Sequence, residues 1–202
     1  MNSTSKNILI TGFEPFGGAE INSSWETAVR VGRLAPNGID IETLLLPVSF
    51  KRASEAIKKA LREKHPDVLV MLGQRGKGEN IDIERIAINL MDSTNPDNDG
   101  LQPQEQMIDV EGEAAYFSNL PVKVLRDTLL QKNIPARVSN SAGLYVCNST
   151  YYNALAEIKK HQLSTKAVFV HLPKISADFP VDTFVEAIKT LIKTISKYEK
   201  NR

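Results

Sequence analysis

Several kinds of residue are scarce in this chain, and each shortage excludes something. Its 202 residues include one cysteine, Cys147, so no disulfide can form within the chain and a packed core has to hold the fold. With that one thiol and three widely separated histidines, the close ligand spacing of a zinc site is missing. Charge of one sign is lacking too. The 25 basic and 24 acidic residues leave a formal net charge of +1, without the basic excess of a dedicated nucleic-acid or anionic-membrane binder. No apolar run approaches the roughly 18 residues of a membrane span. Met1 to Lys6 is polar and lacks the apolar stretch of a signal peptide. The expected setting is the cytoplasm, with no metal, no nucleic acid and no membrane.

What is present is the composition of an ordinary soluble globular protein, 42% hydrophobic and 24% charged, in a length suited to one domain. Short apolar runs alternate with longer amphipathic ones. Strands are expected over 7–11, 39–46, 67–72, 136–140 and 167–172, several of them ending at Gly or Pro. Helices are expected over 23–34, 50–64, 122–132, 145–160 and 181–197, the first opened by a capping box of Ser23 and Glu26. With no repeat and no linker, this alternation predicts an α/β fold: one domain over residues 1–202, a three-layer α/β/α arrangement with a mostly parallel, mixed central sheet. Residues 1–6 are expected to form a flexible N-terminal extension.

One segment breaks the rhythm. Apolar residues fall at 81 and 83, then at 86, 88 and 90, so the alternation slips at Glu84 and Arg85. The slip predicts a β-bulge, a feature over-represented beside active sites. It marks Glu84, although an exposed strand carboxylate paired with Arg85 or a lysine fits the slip as well.

Cys147 lies where a predicted strand passes through small and polar residues into a helix. A thiol in a first helical turn meets the positive end of the helix dipole and free backbone N–H groups, which stabilise a thiolate and could hold an oxyanion. Lone cysteines are nevertheless usually inert buried hydrophobes, and position alone favours that reading. Among the histidines, His65 sits at a helix-to-strand corner and His161 at a helix end. His171 closes an apolar strand at its carboxyl end, where open α/β sheets place their ligand crevice. A hydrogen-bonded core histidine explains it equally well.

Glycine-bearing loops follow the first and third strands, at Gly12-Phe13-Glu14-Pro15-Phe16-Gly17-Gly18 and Gly73-Gln74-Arg75-Gly76. Neither fits a phosphate-binding pattern. Two aromatics in one loop suit an apolar pocket for a small neutral group, unless the rings pack into the core. Cysteine, histidine and carboxylate on adjoining strand ends could form a nucleophilic triad. Asp92, Asp97 and Asp99 do not follow EF-hand spacing and read as a turn-forming loop.

Over nearly the whole chain after its first six residues, the sequence resembles the pyrrolidone-carboxylate peptidase (pyroglutamyl peptidase I) family of cysteine peptidases. The resemblance is carried by 11–18, by Ile83-Glu84-Arg85-Ile86-Ala87-Ile88-Asn89, by Pro96-Asp97-Asn98 with Gly100 and Gln102-Pro103, and by Ala115-Tyr116-Phe117-Ser118 with Leu120-Pro121. Ser139 to Asn148, around the cysteine, and His171-Leu172-Pro173 complete it. It implies a Cys-His-Glu triad of Cys147, His171 and Glu84, and substrate contacts from Phe13, Phe16, Gln74, Asn22, Tyr145 and Val146. It also implies hydrolysis after an N-terminal pyroglutamyl residue, no cofactor, a single α/β/α domain and a homotetramer. The chain departs from the family pattern at Thr94, where an arginine is usual, at Ser23, where a proline usually follows Asn22, and at Lys77 and Gly78. Thr94 keeps open a second reading, a weakly active or inactive member that binds pyroglutamyl peptides. A purine-phosphorylase-like enzyme, a third, leaves Glu84, Cys147 and His171 unexplained.

Overall fold

The computed structural model describes residues 6–35, 39–76 and 78–200, without the side chains of 199 and 200. In chain order the elements are β1 (Lys6–Phe13), α1 (Ser23–Arg33), β2 (Ile39–Leu46), α2 (Phe50–Lys64), β3 (Val68–Gln74), β4 (Ile81–Glu84) and β5 (Ile86–Ile88). They continue with β6 (Ala115–Phe117), α3 (Val122–Leu130), β7 (Ala136–Ser139), α4 (Val146–Lys160), β8 (Lys166–Leu172) and α5 (Val181–Lys200). The expected N-terminal extension lies outside the described residues, except that Lys6 already opens β1.

Six strands form the central sheet in the order β2-β1-β3-β8-β4-β7. The first four are mutually parallel; β4 runs antiparallel to β8 and parallel to β7. The mostly parallel, mixed sheet read from the sequence is therefore present. Strand alternation builds both layers. Ile8 and Ile10, Val68 and Val70, Val168 and Val170 face one core with α1, α3 and α5 residues such as Val31, Leu125 and Leu191. Leu9, Leu69, Met71, Ala167 and Phe169 face the other, against Ile57 of α2 and Tyr151 and Leu155 of α4. Continuous apolar runs suit strands covered on both faces, because each side chain finds a dry neighbour whichever way it points.

The slip at Glu84 and Arg85 is not a bulge. Glu84 ends β4 in the main sheet, and the chain then enters a separate two-stranded sheet in which β5 pairs antiparallel with β6. The Arg85 N–H still bonds the Ser139 carbonyl at 2.8 Å, so the exit occurs within one residue. The exposed reading of Glu84 fails as well, since that residue is fully buried. Nor does a capping box open α1: Ser23 is already helical, and the Oδ1 of Asn22 accepts the Ser24 N–H at 3.0 Å. Asn and Ser are both good caps, so composition alone does not choose between neighbours.

Gly12 allows α1 to lie directly on β1. A Cβ there would stand 2.7 Å from Trp25 Cα and 2.8 Å from the Ser24 carbonyl, both backbone atoms that cannot swing away. We expect Gly12→Ala to lower unfolding free energy by about 1–3 kcal/mol, the usual cost of overpacking, measured by urea denaturation.

Candidate active site

Strand phase brings the chemical groups to one face. On β8, His171 continues the Ala167–Phe169 row that faces α4; on β4, Ile81 and Ile83 face the opposite core, which turns Asp82 and Glu84 toward α4. The ladder pairs Asp82 with His171 and Glu84 with Phe169, so Glu84 reaches the imidazole diagonally. His171 Nδ1 lies 2.8 Å from Glu84 Oε1. With Nδ1 committed, the other ring nitrogen is left for Cys147, which lines the same cavity and helps to raise the pKa of the imidazole.

Cys147 is the second residue of α4 and is partly exposed. Tyr145 occupies the N-cap position without a side-chain cap, so first-turn N–H groups remain available to a ligand. The helix start is clamped from its other side. Asn148 donates to the Ile88 and Leu90 carbonyls at 2.9 and 3.0 Å and accepts the Ile88 N–H at 3.0 Å. The Tyr145 hydroxyl donates to the Pro96 carbonyl at 3.0 Å. Burial, with the nearby charges of Asp97 and Cys147, pushes that phenol above its ordinary pKa and keeps it a neutral donor. Asp97 accepts the Phe50, Asp99 and Leu101 N–H groups, so the acidic loop is a turn, as its spacing suggested. No cluster of His, Cys, Asp or Glu suited to a metal occurs among the described residues.

A cavity of about 240 Å³ opens above the thiol, lined by Phe13, Phe16, Asn22, Val48, Gln74, Arg75, Ala142, Gly143, Tyr145, Val146, Cys147 and His171, among others. All nine residues marked from the sequence touch this cavity except Glu84, which stands behind His171. Phe13 is both core and wall: it is 3% exposed, with its ring 6.5 Å from Phe169. Phe16 is half-buried and also borders a neighbouring cavity, together with Tyr145 and the exposed Thr94. Gln74 Oε1 accepts the Ser23 N–H at 2.8 Å, which turns its amide nitrogen into a donor for the cavity. Asn22 is engaged within the protein, accepting from Ser24 and donating to the Glu14 carbonyl at 3.0 Å. Lys77 lies outside the described residues. His65 and His161 are exposed, away from the cavity.

Two residues have contacts that sequence reasoning missed. Gly73 pairs with His171 across β3 and β8, and a Cβ there would come within 2.8 Å of the Phe169 ring and 3.0 Å of His171 Cδ2. Asn148 is visible in the sequence only as a motif neighbour of Cys147; its clamping role depends on the end of β5, some sixty residues away in sequence.

A thiol at a helix start, an imidazole against it and a buried carboxylate behind that imidazole are the working parts of a cysteine peptidase. The family model for pyroglutamyl peptidase matches residues 6–198. The pyrrolidone-carboxylate peptidase of Thermococcus onnurineus is 43% identical over 199 residues, covering 94% of this chain and 98% of the relative. The crystallised pyrrolidone carboxyl peptidase of Thermococcus litoralis superposes with a TM-score of 0.93 at 35% identity, over 98% of this chain and 96% of that one. Pyroglutamyl peptidase I from Bacillus amyloliquefaciens gives 0.88 at 34% identity, over 95% of both chains. The chain belongs to the pyroglutamyl peptidase family.

Burial alone would lower the pKa of His171, but hydrogen bonding to Cys147, the charge on Cys147, and the hydrogen bond and charge of Glu84 outweigh it and push it up to about 9. Because the folded value exceeds the ordinary 6.5, this pairing contributes stability that is complete below pH 6.5 and is lost as pH rises through about 9. Imidazole NMR should give a midpoint near 9 for His171. Glu84→Gln should lower that midpoint; an unchanged one would remove Glu84 as a cause.

Proposed function

We propose that this protein hydrolyses the amide bond that follows an N-terminal pyroglutamyl residue, with Cys147 as nucleophile, His171 as general acid and base, and Glu84 as the group that orients the imidazole. The observation that carries this reading is the line from Glu84 through His171 to Cys147, ending beneath a small cavity walled by Phe13, Phe16 and Val48.

The chemistry follows from the parts. The dipole of α4 and the imidazolium of His171 both favour a thiolate at Cys147. That thiolate attacks the carbonyl joining the lactam ring to the next residue, and the free N–H groups of the first turn of α4 receive the oxyanion. His171 passes its proton to the leaving amine and the shortened peptide departs, leaving a thioester on Cys147. The imidazole, now neutral, takes a proton from water, whose hydroxide opens the thioester and releases pyroglutamate. Glu84 has no exposed surface, and its second oxygen has no hydrogen-bond partner among the described residues, so its charge is held chiefly by His171. A carboxylate so poorly compensated elsewhere binds the imidazolium strongly.

Specificity has a physical cause as well. The pyroglutamyl ring carries neither an ammonium nor a free carboxylate, so it can leave water for an apolar slot. An ordinary charged N-terminus would have to be desolvated there. Gln74, its oxygen fixed by Ser23, offers an N–H to the lactam carbonyl, while Phe13, Phe16, Tyr145 and Val146 surround the ring. Asn22 contributes by capping α1 and so placing Ser23 and the loop before it. No helix among the described residues is long and apolar enough to cross a membrane. The cytoplasm, which keeps a thiol reduced, suits Cys147. A homotetramer is proposed with this reading; the exposed Met107, Val110 and Phe117 are apolar surface that an assembly would cover.

The test is release of a chromophore from a pyroglutamyl anilide. Wild type should turn it over, Cys147→Ser should be slower by about a thousandfold or more, and Glu84→Gln by on the order of a hundredfold or more. Alkylation of Cys147 should be slowed by 2-pyrrolidone. A folded wild type that binds the anilide without turnover would replace the enzyme with a binding protein.

A further inference from the structure

Asp82 is a buried acid that the chemistry above leaves unused. It stands directly across from His171 in the β4–β8 ladder, and its side chain is 1% exposed. Two guanidinium groups claim it. Arg137 on β7 donates from Nε to Oδ1 at 2.5 Å and from Nη2 to Oδ2 at 3.2 Å, and Arg75, in the turn after β3, pairs with the same Oδ2. The Arg75 N–H also donates to the Leu172 carbonyl at 2.7 Å, tying the turn to the residue after His171. One carboxylate between two arginines leaves a net positive charge, and both arginine side chains remain about half exposed, with donors to spare.

Arg75 lines the same cavity as Cys147 and His171, and apart from those two it is the one charged side chain among the described residues that do. Sheet order gives the cavity a direction. Phe13 and Gln74 lie at the ends of β1 and β3, His171 at the end of β8, and Asp82 and Arg137 lie beyond it on β4 and β7. With the lactam ring at the first of these, a leaving amine protonated by His171 lies toward the last. Arg75 springs from the end of β3, and its guanidinium reaches across to Asp82 on that far side, where a leaving peptide would pass.

We propose that Arg75, held in place by Asp82 and reinforced by Arg137, is a carboxylate subsite for the leaving peptide. It would take either the C-terminal carboxylate of a pyroglutamyl dipeptide or an acidic side chain just after the scissile bond. The inference rests on the pyroglutamyl-peptidase reading. A guanidinium already fixed by a buried acid loses little freedom on meeting a second carboxylate, and its planar fork fits one.

Two matched substrate pairs test it: pyroglutamyl-alanine against its amide, and pyroglutamyl-glutamate amide against pyroglutamyl-glutamine amide. In wild type at low salt the charged member of at least one pair should have the higher kcat/KM, on the order of fivefold and mainly through KM, the size expected of a half-exposed ion pair. High salt should shrink the ratio. Arg75→Gln should bring it close to one, and because both substrates of a pair meet the same preparation, the ratio is independent of how much of the variant is folded. Preference in one pair alone assigns the carboxylate to the chain end or to the side chain. Equal rates in both pairs for wild type, or a ratio that survives Arg75→Gln, would overturn the subsite while leaving the peptidase reading intact. No turnover of any of the four substrates by folded wild type would overturn both.

Discussion

A carboxylate shut away from water must find a positive partner, and in this chain Glu84 finds His171. Most of the site follows from that requirement. The two groups are 2.8 Å apart because β4 runs against β8, so the end of one strand passes the side chains near the end of the other. A parallel β4 would carry its last residue toward the cavity instead of beneath the imidazole. The reversal of β4 and β7 within an otherwise parallel sheet is thus the feature that puts an acid behind the histidine rather than in front of it.

The surroundings of that pair are organised to keep it fixed. Gly73 leaves room beside the ring where any side chain would push Phe169 and His171 apart. The aromatic sequence from Phe13 through Phe169 to His171 links the cavity wall to the imidazole, with Phe169 and His171 centroids 4.8 Å apart. On the thiol side, Asn148 and Tyr145 bind the start of α4 to the end of β5 and the segment after it, so Cys147 is positioned by contacts on both sides of its own backbone. Preorganisation of this kind lets backbone N–H groups face a developing charge without having to reorient.

Much of this is legible in the amino-acid sequence. The five helices and the five strands expected of the sheet occur within two residues of their expected limits at most ends, because runs such as Val68–Leu72 and Ala167–Leu172 are apolar enough to admit no other environment. The slip at Glu84 pointed to the right residue for the wrong reason. A break in alternation looks the same whether a strand bulges or leaves its sheet, and the partner that settles it, β6, is three residues long and lies far along the chain. The asparagine cap of α1 was missed because its neighbour is an equally good cap by residue type. The pairing of Asp82 with Arg75 and Arg137 was beyond reach for a different reason: these residues meet only through the order of strands β3, β8, β4 and β7, which periodicity does not reveal.

The position of β8 has a consequence for how the molecule comes into being. It is the last strand among the described residues, yet it sits in the interior of the sheet, where Val68 of β3 waits for Lys166 and Ile83 of β4 for Val170. Until the ribosome has released that stretch, a nascent chain has two half-sheets with unpaired edges and no imidazole between them. Such late, long-range pairing is slow and leaves sticky strand borders open meanwhile. A truncation that stopped short of His171 would therefore forfeit the sheet's centre along with the imidazole, so Cys147 has no histidine beside it until β8 has been made.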